Sequence, residues 1–126
     1  MQTDIGVHDA YITFTVRGAL DHLAACDLQD QIDMLIARHG RLPCLLLDVS
    51  DVTRATQQAA HAFAVLLRHQ RAGRAGPMVV VGLHGPLLHI LQRAGLHTYL
   101  TERRSREEAT KLLLAEPACR DRNAAR

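Results

Sequence analysis

Eight histidines make metal binding the first chemistry to weigh in this chain. A helical zinc site needs two imidazoles one turn apart, so that both reach one ion from the same face. His61 and His69 are eight positions apart, His84 and His89 are five apart, and no His-x-x-x-His occurs. Solvated or hydrogen-bonded histidines account for the pattern, so no metal and no cofactor is expected. Covalent catalysis needs a nucleophile beside a base. The two serines, Ser50 and Ser105, show no strand-to-helix elbow sequence, and Ser105 reads as a helix cap. Asp21, Asp48 and Asp51 could gather near strand C-termini, where α/β proteins bind ligands, but turn and cap roles explain them more simply. Gly82-Leu83-His84-Gly85-Pro86 loosely suggests phosphate binding at a helix N-terminus. It lacks the lysine and spacing of a P-loop, and Pro86 removes a backbone donor. Cys26, Cys44 and Cys119 are odd in number and have no short paired spacing, which argues against a disulfide framework and a zinc knuckle. Cys26 and Cys44 sit in apolar patterns and read as small buried hydrophobes. No catalytic residue is expected, and the chain does not read as an enzyme.

A length of 126 residues holds one domain with one core. Such a chain buries roughly two-thirds of its unfolded surface and needs no staples. With 48% apolar residues, no Trp, two Phe and two Tyr, the core must be aliphatic. Fifteen basic against thirteen acidic residues give +2, too balanced to demand a polyanion. Lys111 is the only lysine, and the arginines are spread along the chain, so no nucleic-acid partner is expected. Met1-Gln2-Thr3-Asp4 opens no basic-then-apolar leader, and no apolar run approaches the ~18 residues of a membrane span. The expectation is a cytoplasmic protein with no membrane insertion.

Periodicity places the elements. Residues 11–16, rich in β-branched and aromatic side chains, predict a strand closed by Gly18. A strand over residues 3–7 would pair with it through a His8-Asp9-Ala10 turn. Asp21 is the expected cap of a helix running to about Arg38, with Gly40 beyond its end and Leu28, Ile32, Leu35 and Ile36 on one face. After Pro43, residues 44–49 form a continuous apolar run that suits a strand buried on both sides. Thr56 is the candidate cap of a second helix over residues 57–72, whose buried stripe would be Ala60, Phe63, Ala64 and Leu67, with Gly73 just past it. Residues 77–82 predict a further buried strand and residues 86–93 a helix with Pro near its start. Residues 97–100 predict a short strand. Ser105 with Glu108 forms a capping box for a last helix carrying Ala109, Leu112 and Leu113. The order β-β-α-β-α-β-α-β-α implies an α/β fold with a mixed, mostly parallel sheet of four or five strands and about four helices. Leu45, Leu47, Val79, Val81, Ile32 and Phe63 are expected in one core. The domain would span residues 1–116, with residues 117–126 a flexible tail.

This order resembles the STAS domain, named for sulphate transporters and anti-sigma-factor antagonists. Gly18-Ala19-Leu20-Asp21 resembles the family's G-x-L-D turn, and residues 46–53, Leu-Leu-Asp-Val-Ser-Asp-Val-Thr, its L-D-L-S-x-V-T segment. Residues 78–82 and 91–96 are similar to the strand and L-x-x-x-G-L that follow in the family. Members commonly carry D-S-S-G or D-S-T-G two residues after the V-T, and an anti-sigma-factor kinase phosphorylates the second hydroxyl residue. Here the stretch is Thr56-Gln57-Gln58-Ala59. Gln58 occupies the phosphosite-equivalent position and offers no hydroxyl.

The resemblance implies a protein-binding module. Its partner would be an anti-sigma factor or a Ser/Thr kinase-like regulator, docked on Thr53, Arg54 and Thr56 of a loop and on Gln57, Gln58, His61 and Arg68 of the second helix. Leu20 and Asp21 would line the same surface. A homodimer is also compatible. The alternative is a STAS scaffold or accessory subunit of a signalling or lipid-transport assembly.

Overall fold

The computed structural model describes residues 2–8, 11–41, 44–117 and 119. Asp9, Ala10 and Pro43, expected in connections, lie outside the described residues, as does most of the expected tail.

Five strands form one sheet in chain order: β1 (Gln2–Val7), β2 (Ile12–Leu20), β3 (Leu45–Ala55), β4 (Met78–Val81) and β5 (Thr101–Arg103). β1 runs antiparallel to β2, from Gln2 opposite Arg17 to Val7 opposite Ile12, and every later pairing is parallel. Four helices, α1 (His22–His39), α2 (Gln57–Arg71), α3 (Gly85–Arg93) and α4 (Arg106–Ala115), supply the crossovers and the C-terminal layer. The α/β architecture is as the element order predicts.

The two-residue period of β2 divides the molecule into two cores. Ile12, Phe14 and Val16 face the larger one with Leu45, Leu47, Val49, Met78 and Val80. α1 covers it with Ala24, Leu28 and Ile32, α2 with Ala59, Ala62, Phe63 and Leu66, and α3 with Leu87 and Leu91. The opposite sheet face carries a smaller core of Leu46, Val79 and Val81 beneath Ala109 and Leu113 of α4. The expectation of one shared core therefore fails for Val79 and Val81. Leu45 is aligned with Met78 and Leu47 with Val80, so the intervening residues must point the other way.

Other boundaries also differ. Gly18 does not end β2: at φ 82° it lies within the strand, and register shifts flank it between Thr15 and Arg17 and between Gly18 and Ala19. β3 runs six residues past Val49, so Thr53 and Arg54 belong to a strand and not to a loop. The buried side of α2 is rotated from the expected stripe. Ala60 and Phe63 are buried as expected and Ala59, Ala62 and Leu66 join them, whereas Ala64 and Leu67 are only half-buried, because α2 is flanked by both α1 and α3. Residues His97–Tyr99 form a 3-10 turn instead of a strand, with backbone bonds from Tyr99 N to Leu96 O and from Leu100 N to His97 O. β5 starts four positions after the expected strand, where Thr101 aligns with Val79.

The cysteine reading is overturned as well. Cys44, at the foot of β3, is disulfide-bonded to Cys119, 75 positions later, with Cα atoms 5.8 Å apart. Long separation hid a pair that the topology brings together, because α4 returns the chain across the smaller core. Cys119, inside the expected tail, is fully buried. Cys26 is exposed on α1, not buried, with Sγ 3.8 Å from His22 Nε2.

Candidate functional site

Three helix N-termini converge at the C-terminal ends of β2 and β3. Asp21 caps α1, its Oδ1 accepting from Ala24 N at 3.0 Å. One residue earlier, Leu20 O accepts from Thr56 N at 3.1 Å, which ties the turn into α1 to the turn into α2. Thr56 sits at the N-cap of α2 in extended conformation, but its hydroxyl donates to Gln58 Oε1 at 2.8 Å and does not accept from the helix. α3 enters beside them through Pro86. A shallow cavity of about 220 Å³ between these starts is lined by Ala19, Asp21, Arg54, Ala55, Thr56 and Pro86.

The structure thus brings Asp21, Arg54 and Thr56 together, with Gln57, Gln58 and His61 exposed on the adjoining first turns of α2. Thr53 is exposed on β3. Two expected residues fall elsewhere. Leu20 is 0% exposed, being an inward position of β2, so it contributes its backbone carbonyl and no docking side chain. Arg68 is exposed, but eleven residues beyond Gln57 means roughly 16 Å along the helix axis. Pro86 and Ala19 escaped the sequence reading; proline near a helix start was the available signal for the first.

This surface is hydrogen-bonding and only weakly charged, with one carboxylate at Asp21 and one guanidinium at Arg54. The first turn of α2 holds no acidic side chain, so its N-terminal partial positive charge is uncompensated there. Such a face can recognise polar and anionic groups on a protein surface. Among the described residues, no group of three His, Cys, Asp or Glu side chains could hold a metal ion.

The aspartates expected in turns separate. Asp48 is a buried strand residue and not a turn carboxylate. Ser50 Oγ and Ser50 N donate to its Oδ1 at 2.6 and 2.9 Å, and Arg106 Nε donates to Oδ2 at 2.6 Å. Arg106 also donates to Thr15 Oγ1, so one guanidinium links α4 to two strands. Burial pushes the Asp48 carboxyl upward, but the Ser50 bonds and the Arg106 charge together hold it below the ordinary carboxylate value. Asp51 is exposed, 3.8 Å from Arg17 Nε. The glycine at 82 serves close approach: at φ 72°, an added Cβ would stand 2.9 Å from Ser50 Cα. The strand-to-helix connection thus accounts for Gly82 without a phosphate.

A mostly parallel sheet with three helices on one face and one on the other, and helix starts gathered at its C-terminal edge, defines a small α/β domain. The STAS domain family matches residues 2–109, and the chain belongs to that family. Its fold is similar to SpoIIAA, an anti-sigma factor antagonist known from Bacillus, in its unphosphorylated form, with TM-score 0.76 and 16% identity over 91% of this chain and 98% of that one. An anti-sigma factor antagonist from Mycobacterium paratuberculosis gives TM-score 0.70 and 19% identity, covering 90% and 93%. A variant of RsbS from Moorella thermoacetica gives 0.71 and 15%, covering 90% and 96%. No curated protein sequence matches the chain. No helix among the described residues is long and apolar enough to cross a membrane.

Proposed function

We propose that this chain is a non-enzymatic, cytoplasmic protein-binding module of the anti-sigma-factor-antagonist kind. It docks an anti-sigma factor or a kinase-like regulator through Asp21, Thr53, Arg54, Thr56, Gln57, Gln58 and His61. The observation that carries this reading is the convergence of the α1, α2 and α3 starts on one exposed surface in a STAS fold, where polar side chains surround a mostly apolar cleft. Within it, Gln58 stands where the family's phosphorylated hydroxyl would be. A phosphate there would add about −1.5 to −2 charges to a docking face. Gln58 keeps hydrogen-bonding capacity and has no acceptor for a phosphoryl group. Binding is therefore constitutive with respect to this position and is set by partner abundance or by another site.

Gln58→Glu tests the surface. The side chain is exposed and near a helix N-terminus, so the added charge leaves the fold unchanged or stabilises it by a few tenths of a kcal/mol. At a docked, water-excluding interface the same charge weakens binding about tenfold, or ~1.4 kcal/mol. Titration calorimetry of both proteins against the regulator recovered by pull-down measures this. Equal affinity with equal stability would remove the surface from the docking site and leave the scaffold reading in its place.

A further inference from the structure

Charge is distributed unevenly along the chain. Residues 52–101 contain no Asp or Glu, yet hold Arg54, Arg68, Arg71, Arg74 and Arg93 and five of the eight histidines. The other 76 residues carry all thirteen acids against ten basic side chains. The acid-free stretch builds α2, α3 and the 3-10 turn, while neighbouring α1 carries Asp27, Asp30 and Asp33. Among the described residues, no carboxylate stands within salt-bridge reach of any of these five arginines.

Within this acid-free stretch lies a groove of about 600 Å³ between the C-terminal half of α2 and the turn after α3. Ala64, Leu67 and Leu96 line it as half-buried apolar residues. Tyr99, 61% exposed, forms one wall, and the Arg71 guanidinium lies over its ring, 5.5 Å from the centroid. Arg68 stands on the same rim. Apolar side chains would gain by covering the floor. Carboxylates would gain by meeting guanidinium forks, which hold them with paired hydrogen bonds. The volume suits a few side chains and is a concave slot, not the broad plane that a bilayer surface would cover.

We propose that this groove docks an acidic amphipathic segment of a partner protein, seating apolar side chains between Leu67 and Leu96 and carboxylates on Arg68 and Arg71. It lies at the far end of α2 from Gln58, and it stands whether or not the surface there binds a regulator.

Selecting displayed random 16-residue peptides on the immobilised full chain tests the assignment. Enriched peptides should combine Leu-type residues with Asp or Glu, and should shift the amide resonances of Leu67, Arg68, Leu96 and Tyr99. Their affinity should fall at least tenfold for the Arg68→Glu, Arg71→Glu double variant. Arg68→Gln alone, which leaves the Arg71–Tyr99 contact intact, should lower it less but in the same direction at an unchanged melting temperature. Enriched peptides without acidic residues would overturn the proposal, as would shifts centred on Gln57 to His61. Binding of phosphatidylglycerol vesicles through these residues while no peptide is enriched would overturn it too, in favour of a lipid surface.

Discussion

Asp48 shows how much one carboxylate depends on where its strand runs. Its folded pKa is lowered, so the unfolded chain holds the proton more tightly and the ionised form favours folding. That contribution is complete above the ordinary carboxylate pKa of about 3.9 and is lost as pH falls through it toward the lower folded value. Arg106 is half exposed, so solvent screening keeps the ion pair's share small and the Ser50 bonds matter more. Asp48→Asn should cost ~1–2 kcal/mol at neutral pH and flatten the acid limb of the stability curve. Thermal melts between pH 7 and pH 3 check this, and parallel acid limbs in both proteins would rule the network out as its source. The sequence shows Asp48 within an apolar run, but its partner is 58 positions away and nothing local announces it. Asp21 and Ser105 were legible because a cap acts within three residues, as Ala24 N to Asp21 and Glu108 N to Ser105 confirm. Leu20 was misjudged because adjacency to a cap says nothing about which way a strand residue points.

Elements were legible where one local period governed them. α1 keeps its expected cap, its Leu28 and Ile32 face, and Gly40 at φ 79° beyond its end. Errors arose where tertiary neighbours decided. His-Thr-Tyr-Leu has strand propensity, yet it closes a 3-10 turn because the parallel register admits β5 only from Thr101. Likewise β3 outlasts its apolar run because β2 continues beside it to Leu20 opposite Ala55. Phe63 holds α2 to the larger core at 0% exposure, so Phe63→Ala should destabilise the fold by ~3–5 kcal/mol. Urea melts will show it, and a loss under about 1 kcal/mol would mean that the core closes over the missing ring.

For the whole molecule, the Cys44–Cys119 bond encloses β3, β4, β5 and the three helices that follow β3 within one covalent loop. Closing a loop of this size restricts the unfolded chain, so Cys119→Ser should lower stability by ~2–4 kcal/mol under oxidising conditions. Urea melts with and without reductant separate the bond from the side chain. Equal midpoints for the oxidised protein and the variant would show that the bond adds nothing. The uneven charge has a consequence in time as well as in affinity. With Asp27, Asp30 and Asp33 on α1, and with arginines but no acids along α2 and α3, the module carries a lasting electrical asymmetry across its helical layer. A charged partner is turned by that field while still diffusing, so collisions arrive biased in orientation. Salt would then slow the encounter more than it hastens the departure.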